Sequence, residues 1–354
     1  MPFGPTPRFD TTWTGEYTHG MLGPGTPWLT PGWAVLALCA ACSSGPAGRN
    51  PGALSASADA GLARGSSGSA DAGLIVADAT ASITGVAPNP WNLGILETSL
   101  LYFPTVAAIP PPPYSLTLRL SELVFVVSTD AVRPFLPPAF EPTSSAGQSE
   151  LLVAAAHYLT AEGVDSGVVT YNYDEVAFLV PVNLPAAPST QYFAYLKLHL
   201  NQAPPIDTGR QVYGFPKYLD DSIVTTTDPT LSPSVTYEGR SGGTSTFSIE
   251  AVRAGVADLG GIELPAGLPD VGGVLGTPGL FINPRREVTV GPMSSQLGSP
   301  ELLLVSHAEL PELQEAGILF PGQLPAAALQ FDHVTLDLSV PLTPDGTVIP
   351  FPPP

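Results

Sequence analysis

Lys217 is one of only two lysines in the 354-residue chain, the other being Lys197, and it sits among aromatic residues in Gly214-Phe215-Pro216-Lys217-Tyr218. Burial disfavours an ammonium, so the pKa of an amine in such surroundings is expected to fall toward neutrality where the site is dry. A neutral amine adds to a carbonyl carbon and forms an imine, which becomes an electron sink once protonated. Loss of carbon dioxide from a β-keto acid, or an aldol step, then proceeds through an enamine. That chemistry needs a proton shuttle. Glu175 opens an otherwise hydrophobic strand that ends at Pro181-Val182, and it is the natural candidate if it lies within hydrogen-bond reach. Arg210 follows Gly209 in a turn just ahead of the lysine. The residue types alone favour a plainer reading, a surface lysine after a turn and a glutamate that merely begins a strand.

The spacing of these residues carries more than their types. Glu175 stands six residues before Pro181; a second strand follows, then Gly209-Arg210, then Phe215-Pro216-Lys217. This order over 171–220 resembles the acetoacetate decarboxylase superfamily. A weaker similarity extends to Leu123–Glu141 and to the terminal strand Phe331–Pro341. The resemblance implies a barrel-like antiparallel fold that encloses the lysine, often in an oligomer. It matches Lys217 to the Schiff-base lysine and Glu175 to an active-site glutamate, and the mode of lysine activation is carried over from that family. Arg119, Arg210, Phe215 and Tyr218 are the candidate substrate contacts, although Arg210 also suits a role bracing its turn. Departures from the family pattern are specific. Tyr218 stands where the family decarboxylases have a second lysine, and Gly-Arg-Glu has become Gly209-Arg210-Gln211. The second family glutamate aligns near Leu152, two residues from Glu150. The arginine expected to hold a substrate carboxylate aligns with Leu120. Arg119 is one residue away, and a one-residue slip reverses the face of a strand.

The elements that must position these groups read mainly as strands. Tyr114 to Val127 alternates apolar and polar residues before becoming continuously apolar, as a strand entering a core does. Ser128-Thr129-Asp130 supplies caps for a short helix, Ala131–Leu136, stopped by Pro137-Pro138. Further strands are expected at 150–158, 168–182, 191–200, 222–227, 234–237, 244–251, 286–290 and 329–340. Helices are expected from Pro300 to His307 and near Glu312. Many short-spaced strands with brief helices make the fold class mainly β (α+β), an antiparallel closed β-barrel of acetoacetate decarboxylase type. No phosphate-binding glycine loop and no G-x-S-x-G elbow occurs, and the five histidines are not at metal-ligand spacing. No cofactor and no metal is expected.

With 31 acidic against 12 basic residues the formal charge is −19. Such a surface repels phosphate, which argues against a nucleic-acid partner. Residues 1–42 read as a signal and lipoprotein leader. Trp33 to Ala41 is an apolar run too short to span a bilayer and ends just before Cys42, the residue that would be lipidated. Cys39 at the third position before Cys42 and the scarcity of positive charge before the run depart from the usual leader. The only cysteines are Cys39 and Cys42, and their C-x-x-C spacing lacks the strand–helix context of a redox motif. Residues 43–86, rich in Ala, Gly, Ser and Asp, read as a flexible tether, and 87–354 as the folded domain. Export with membrane anchorage is the expectation, and a cytoplasmic location if the leader is not functional.

Together these features lead to an imine-forming enzyme acting on a small-molecule carbonyl substrate, with decarboxylation of a β-keto acid foremost and an aldol condensation–dehydration close behind. A non-catalytic barrel that binds an apolar carbonyl compound or lipid stands as the alternative, and a role unrelated to a pocket comes last.

Overall fold

In the computed structural model the described residues are 91 and 100–351, apart from 185–186, 226–232, 257–273, 276–278, 283–287, 292, 299 and 344–345. The leader and tether readings on 1–42 and 43–86, Cys42 included, lie outside the described residues.

Sixteen strands form one sheet among the described residues. They begin with β1 (Tyr114–Ser128), the short β2 (Glu141–Pro142) and β3 (Ser144–Ser145), and the long hairpin β4 (Gln148–Gly163) and β5 (Val169–Leu184). Next come β6 (Ala187–Leu200), β7 (Lys217–Leu219), β8 (Ser222–Thr225), β9 (Ser234–Ser241) and β10 (Thr244–Val256). The last six are β11 (Val274–Leu275), β12 (Gly279–Ile282), β13 (Val288–Gly291), β14 (Met293–Leu297), β15 (Pro300–Glu309) and β16 (Ala327–Leu338). Neighbours run β13-β12-β6-β5-β4-β1-β16-β15-β10-β9-β8. Most pairs are antiparallel, but β7 and β12 each pair with β6 in parallel.

The expectation of a closed antiparallel barrel is therefore corrected: the sheet is mixed and open at β13 and β8. Parallel neighbours require a crossover, because a tight hairpin can only return the chain antiparallel. Here the crossover from β6 to β7 is the helix Ala203–Thr208 followed by the π-turn Gly209–Tyr213. The sheet still curls strongly, bringing β8 against β5 and letting the Tyr237 hydroxyl on β9 donate to Ala155 O on β4 at 3.0 Å.

Around β1, β4, β5 and β6 both faces of the sheet are buried, which explains the sequence of β1. Its first half alternates in burial, and from Ser121 to Phe125 every residue is buried. The first face packs Phe125, Val153, Phe178, Leu196 and Phe247 with Leu313 of the helix Pro311–Glu315. Its phenylalanines are fully buried, each contributing about 1.5–3 kcal/mol of transfer free energy. The second face packs Leu118, Tyr158, Tyr173, Leu198 and Leu200 against the crossover residues Ile206, Val212 and Phe215.

Local corrections have local causes. Pro300–His307, expected as a helix, is the strand β15, because it finds partners in both β10 and β16. The expected helix Ala131–Leu136 is split into an α-turn, Thr129–Val132, and a 3₁₀ turn, Arg133–Phe135. Pro134 cannot donate the amide bond that would continue the α-helix. The helix expected near Glu312 is present at Pro311–Glu315.

Candidate active site

Glu175 lies in the middle of the β4–β5–β6 ladder, opposite Ala156 on one side and Leu200 on the other. Its register is held from the reverse face. Asp174 accepts from the Asn201 amide at 3.0 Å and pairs with His157 Nδ1 at 2.8 Å. Strand alternation then sends Glu175 to the second face, beside Tyr158 and Tyr173, whose rings stack 4.3 Å apart and 4° from parallel.

Lys217 reaches the same spot from the crossover. The helix Ala203–Thr208 starts with Pro204 and Pro205 at its first positions, where proline fits without losing a bond. The π-turn ends at Gly214, whose φ of 76° is one that L side chains rarely adopt. Arg210 is buried and donates from Nε and Nη2 to the Lys217 carbonyl oxygen, at 2.9 and 2.6 Å. Burial lowers the pKa of its guanidinium. Its role is thus to brace the turn that presents the lysine. Gly209 has to be small: a Cβ there would lie 2.6 Å from Lys217 Cε.

These two elements bring Lys217 Nζ to 2.9 Å from Glu175 Oε2, with both residues buried. The Tyr158 hydroxyl donates to the other carboxylate oxygen at 3.2 Å. Burial first, and the Glu175 charge second, push the hydroxyls of Tyr158, Tyr173 and Tyr195 well above the ordinary tyrosine pKa. They are neutral donors. Lys217, Glu175 and Phe215 line a cavity of about 90 Å³ together with Tyr195 and Tyr213. Taking about 10–15 Å³ per water, it has room for several waters or one small organic molecule.

The other proposed contacts lie elsewhere. Tyr218 follows Lys217 on β7, so it faces the opposite side of the sheet. There the Lys197 ammonium sits 4.1 Å from the centre of its ring. Arg119 pairs in register with His157, on the face away from Glu175, and neither it nor Arg210 lines the cavity. Glu150 pairs with Val126 on β1, far along the strand from Glu175. Glu122, a buried neighbour that the sequence did not single out, has its carboxyl pushed up to about 8, by burial first and by Glu150 second.

Sequence reasoning also missed a second buried cluster, behind β7. Lys197 Nζ lies 2.5 Å from Glu312 Oε1. His199 lies between Glu312 Oε2, at 3.2 Å from Nε2, and Asp220 Oδ1, at 3.0 Å from Nδ1. Thr246 Oγ1 donates to Asp220 at 2.6 Å. Burial alone would lower the His199 pKa, but bonds to Asp220 and Glu312 raise it. The alternation of Lys197 with His199 was visible in the sequence; their partners, 21 to 115 residues away, were not. Among the described residues no group of three His, Cys, Asp or Glu side chains is arranged to hold a metal ion.

An open, curled, mainly β sheet that buries Lys217 against Glu175 at the wall of a tyrosine-lined cavity defines a β-rich domain with a buried amine facing that cavity. Residues 102–255 match the sequence profile of the family described as acetoacetate decarboxylase (ADC), and it is over this segment that the chain is similar to that family. No curated protein matches the chain. Among solved structures, the acetoacetate decarboxylase of Legionella pneumophila is 15% identical, with 65% of this chain and 86% of that chain covered and a TM-score of 0.48. The enduracididine biosynthesis enzyme MppR, complexed with pyruvate, is 16% identical over 66% of this chain and 91% of its own, with a TM-score of 0.48. An acetoacetate decarboxylase-like enzyme from Sphingomonas wittichii RW1 is 12% identical, covering 68% and 97%, with a TM-score of 0.44.

Proposed function

We propose that this chain is a carbonyl-processing enzyme that works through a Schiff base on Lys217, with Glu175 as its proton partner. The observation that carries the proposal is the buried 2.9 Å contact between Lys217 Nζ and Glu175 Oε2 at the wall of a cavity. Glu175 accepts a proton from the ammonium, and the freed amine adds to the substrate's carbonyl carbon. The carbinolamine takes a proton back onto its hydroxyl and loses water, leaving an iminium. An electrofuge then departs from the carbon next to it, a proton or a carbon fragment, and its bonding pair becomes the enamine double bond. Reprotonation of the enamine carbon and hydrolysis by one water release the product ketone and restore the amine. A well-placed carboxylate contributes about 10²–10⁴-fold to such proton transfers.

The simplest test needs no knowledge of the natural substrate. Acetone bound as an iminium exchanges its methyl protons, so its proton NMR signal in D₂O should decay faster with enzyme than with buffer. That acceleration is expected to vanish in Lys217→Ala and to fall at least tenfold in Glu175→Gln. Exchange at the wild-type rate in Lys217→Ala would remove the proposal.

A further inference from the structure

The cavity's charges bear on what it admits. Among its described lining residues Lys217 is the single cation, and Glu175 already neutralises it at 2.9 Å. Converting the amine to an iminium keeps that one positive charge beside the same carboxylate, so the pair stays neutral throughout. A second carboxylate, Glu162, lines the exposed mouth. The nearest arginine by sequence, Arg210, is turned to the Lys217 carbonyl oxygen, and Arg119 is on the other face of the sheet.

Three of the tyrosine hydroxyls in the lining are already engaged, and a neutral donor does not replace a cation. Of the five tyrosines in the lining, Tyr158 donates its hydroxyl proton to Glu175 at 3.2 Å. Tyr114 donates to Pro110 O and Tyr213 to Ser339 O, each at 2.5 Å. Much of the rest of the wall is apolar, including Leu116, Phe215, Leu336 and Leu338. A carboxylate brought here would leave water for a low-dielectric site and meet Glu175 with no cation left to balance it, which is the costly case for a buried charge. The chain as a whole adds a field of the same sign, with a formal charge of −19.

Building on the Schiff-base reading of Lys217, we infer that the substrate is an uncharged ketone or aldehyde and that the cavity discriminates against keto acids. The group leaving the iminium is then a proton or a neutral carbon fragment rather than carbon dioxide. Glu162 at the mouth and Glu175 at the base are the specificity-determining charges.

The test is a matched pair that differs in charge alone: 4-oxopentanoate and its amide, 4-oxopentanamide. Each is incubated with the full chain near neutral pH and reduced with borohydride, and the rate of adduct formation on Lys217 is followed by peptide mass spectrometry. The amide is expected to label Lys217 at least tenfold faster than the acid, and Glu162→Arg is expected to lower that ratio several-fold. Labelling by the acid as fast as or faster than by the amide overturns the inference while leaving the Schiff-base proposal intact. No adduct from either compound removes the Schiff-base proposal, and the inference with it.

Discussion

Lys217 is a reactive-site candidate because of what its neighbours leave free. Its carbonyl is held by Arg210 and its ammonium by Glu175, so the amine has a fixed position and one proton partner. Gly209 is the most sensitive test of that placement. An added Cβ would meet Lys217 Cε at 2.6 Å and Cδ at 2.7 Å, and the flexible lysine chain can move aside at little cost to the fold. Gly209→Ala should therefore leave thermal stability within a few degrees and still reduce imine trapping by on the order of 10²-fold, the scale of a 1 Å misplacement. Full trapping by a folded Gly209→Ala protein would show that the observed position does not matter. Lys217, Glu175 and Phe215 could be picked from the sequence because type and spacing marked them. Whether Arg119, Arg210 and Tyr218 faced the cavity could not be read, since a strand's facing changes with each residue and a brace resembles a binding group in one dimension.

The crossover from β6 to β7 does most to build the site, and it was the element least visible in the sequence. Pro204-Pro205 marks its start, yet a six-residue helix running into a π-turn leaves too short an apolar pattern to detect. The long strands were legible because burial follows their alternation. The openness of the sheet was not, because strand order depends on contacts between residues far apart in the chain. β7 is only three residues long, and the ion cluster behind it ties it to β10 and to the helix Pro311–Glu315. Asp220→Ala would leave His199 without one of its two carboxylate partners and is expected to cost about 3–5 kcal/mol, measured by denaturant unfolding. A loss below about 1 kcal/mol would assign the cluster no structural weight. Its pH dependence has a definite sign. The His199 pKa is raised in the fold above its ordinary 6.5, so its contribution is complete below about pH 6.5 and is lost as pH rises through the folded value. The Glu312 pKa is lowered from 4.5, so its contribution is present above about pH 4.5 and is lost as pH falls through the folded value. His199→Gln should flatten the alkaline side of the stability profile, and an unchanged profile would count against this assignment.

For the molecule as a whole, Glu122 is expected to shape stability against pH. Its folded carboxyl holds its proton up to about pH 8, while the unfolded one ionises near 4.5. Stability is therefore lost between those values, by a few kcal/mol in order of magnitude. Glu122→Gln should raise Tm over the wild type much more at pH 8 than at pH 5, and equal gains at both would contradict the burial argument. The proposed lipid anchor at Cys42 is checked by Cys42→Ala, expected to move the protein from the membrane to the soluble fraction; no change in partition would remove that proposal. The central claim concerns one amine out of two, and intact protein decides it. Incubation with 4-oxopentanamide, reduction by borohydride and peptide mapping should place a single adduct on Lys217, none on Lys197, and none anywhere in Lys217→Ala. An adduct on Lys197, or none with the wild-type chain, would contradict the account.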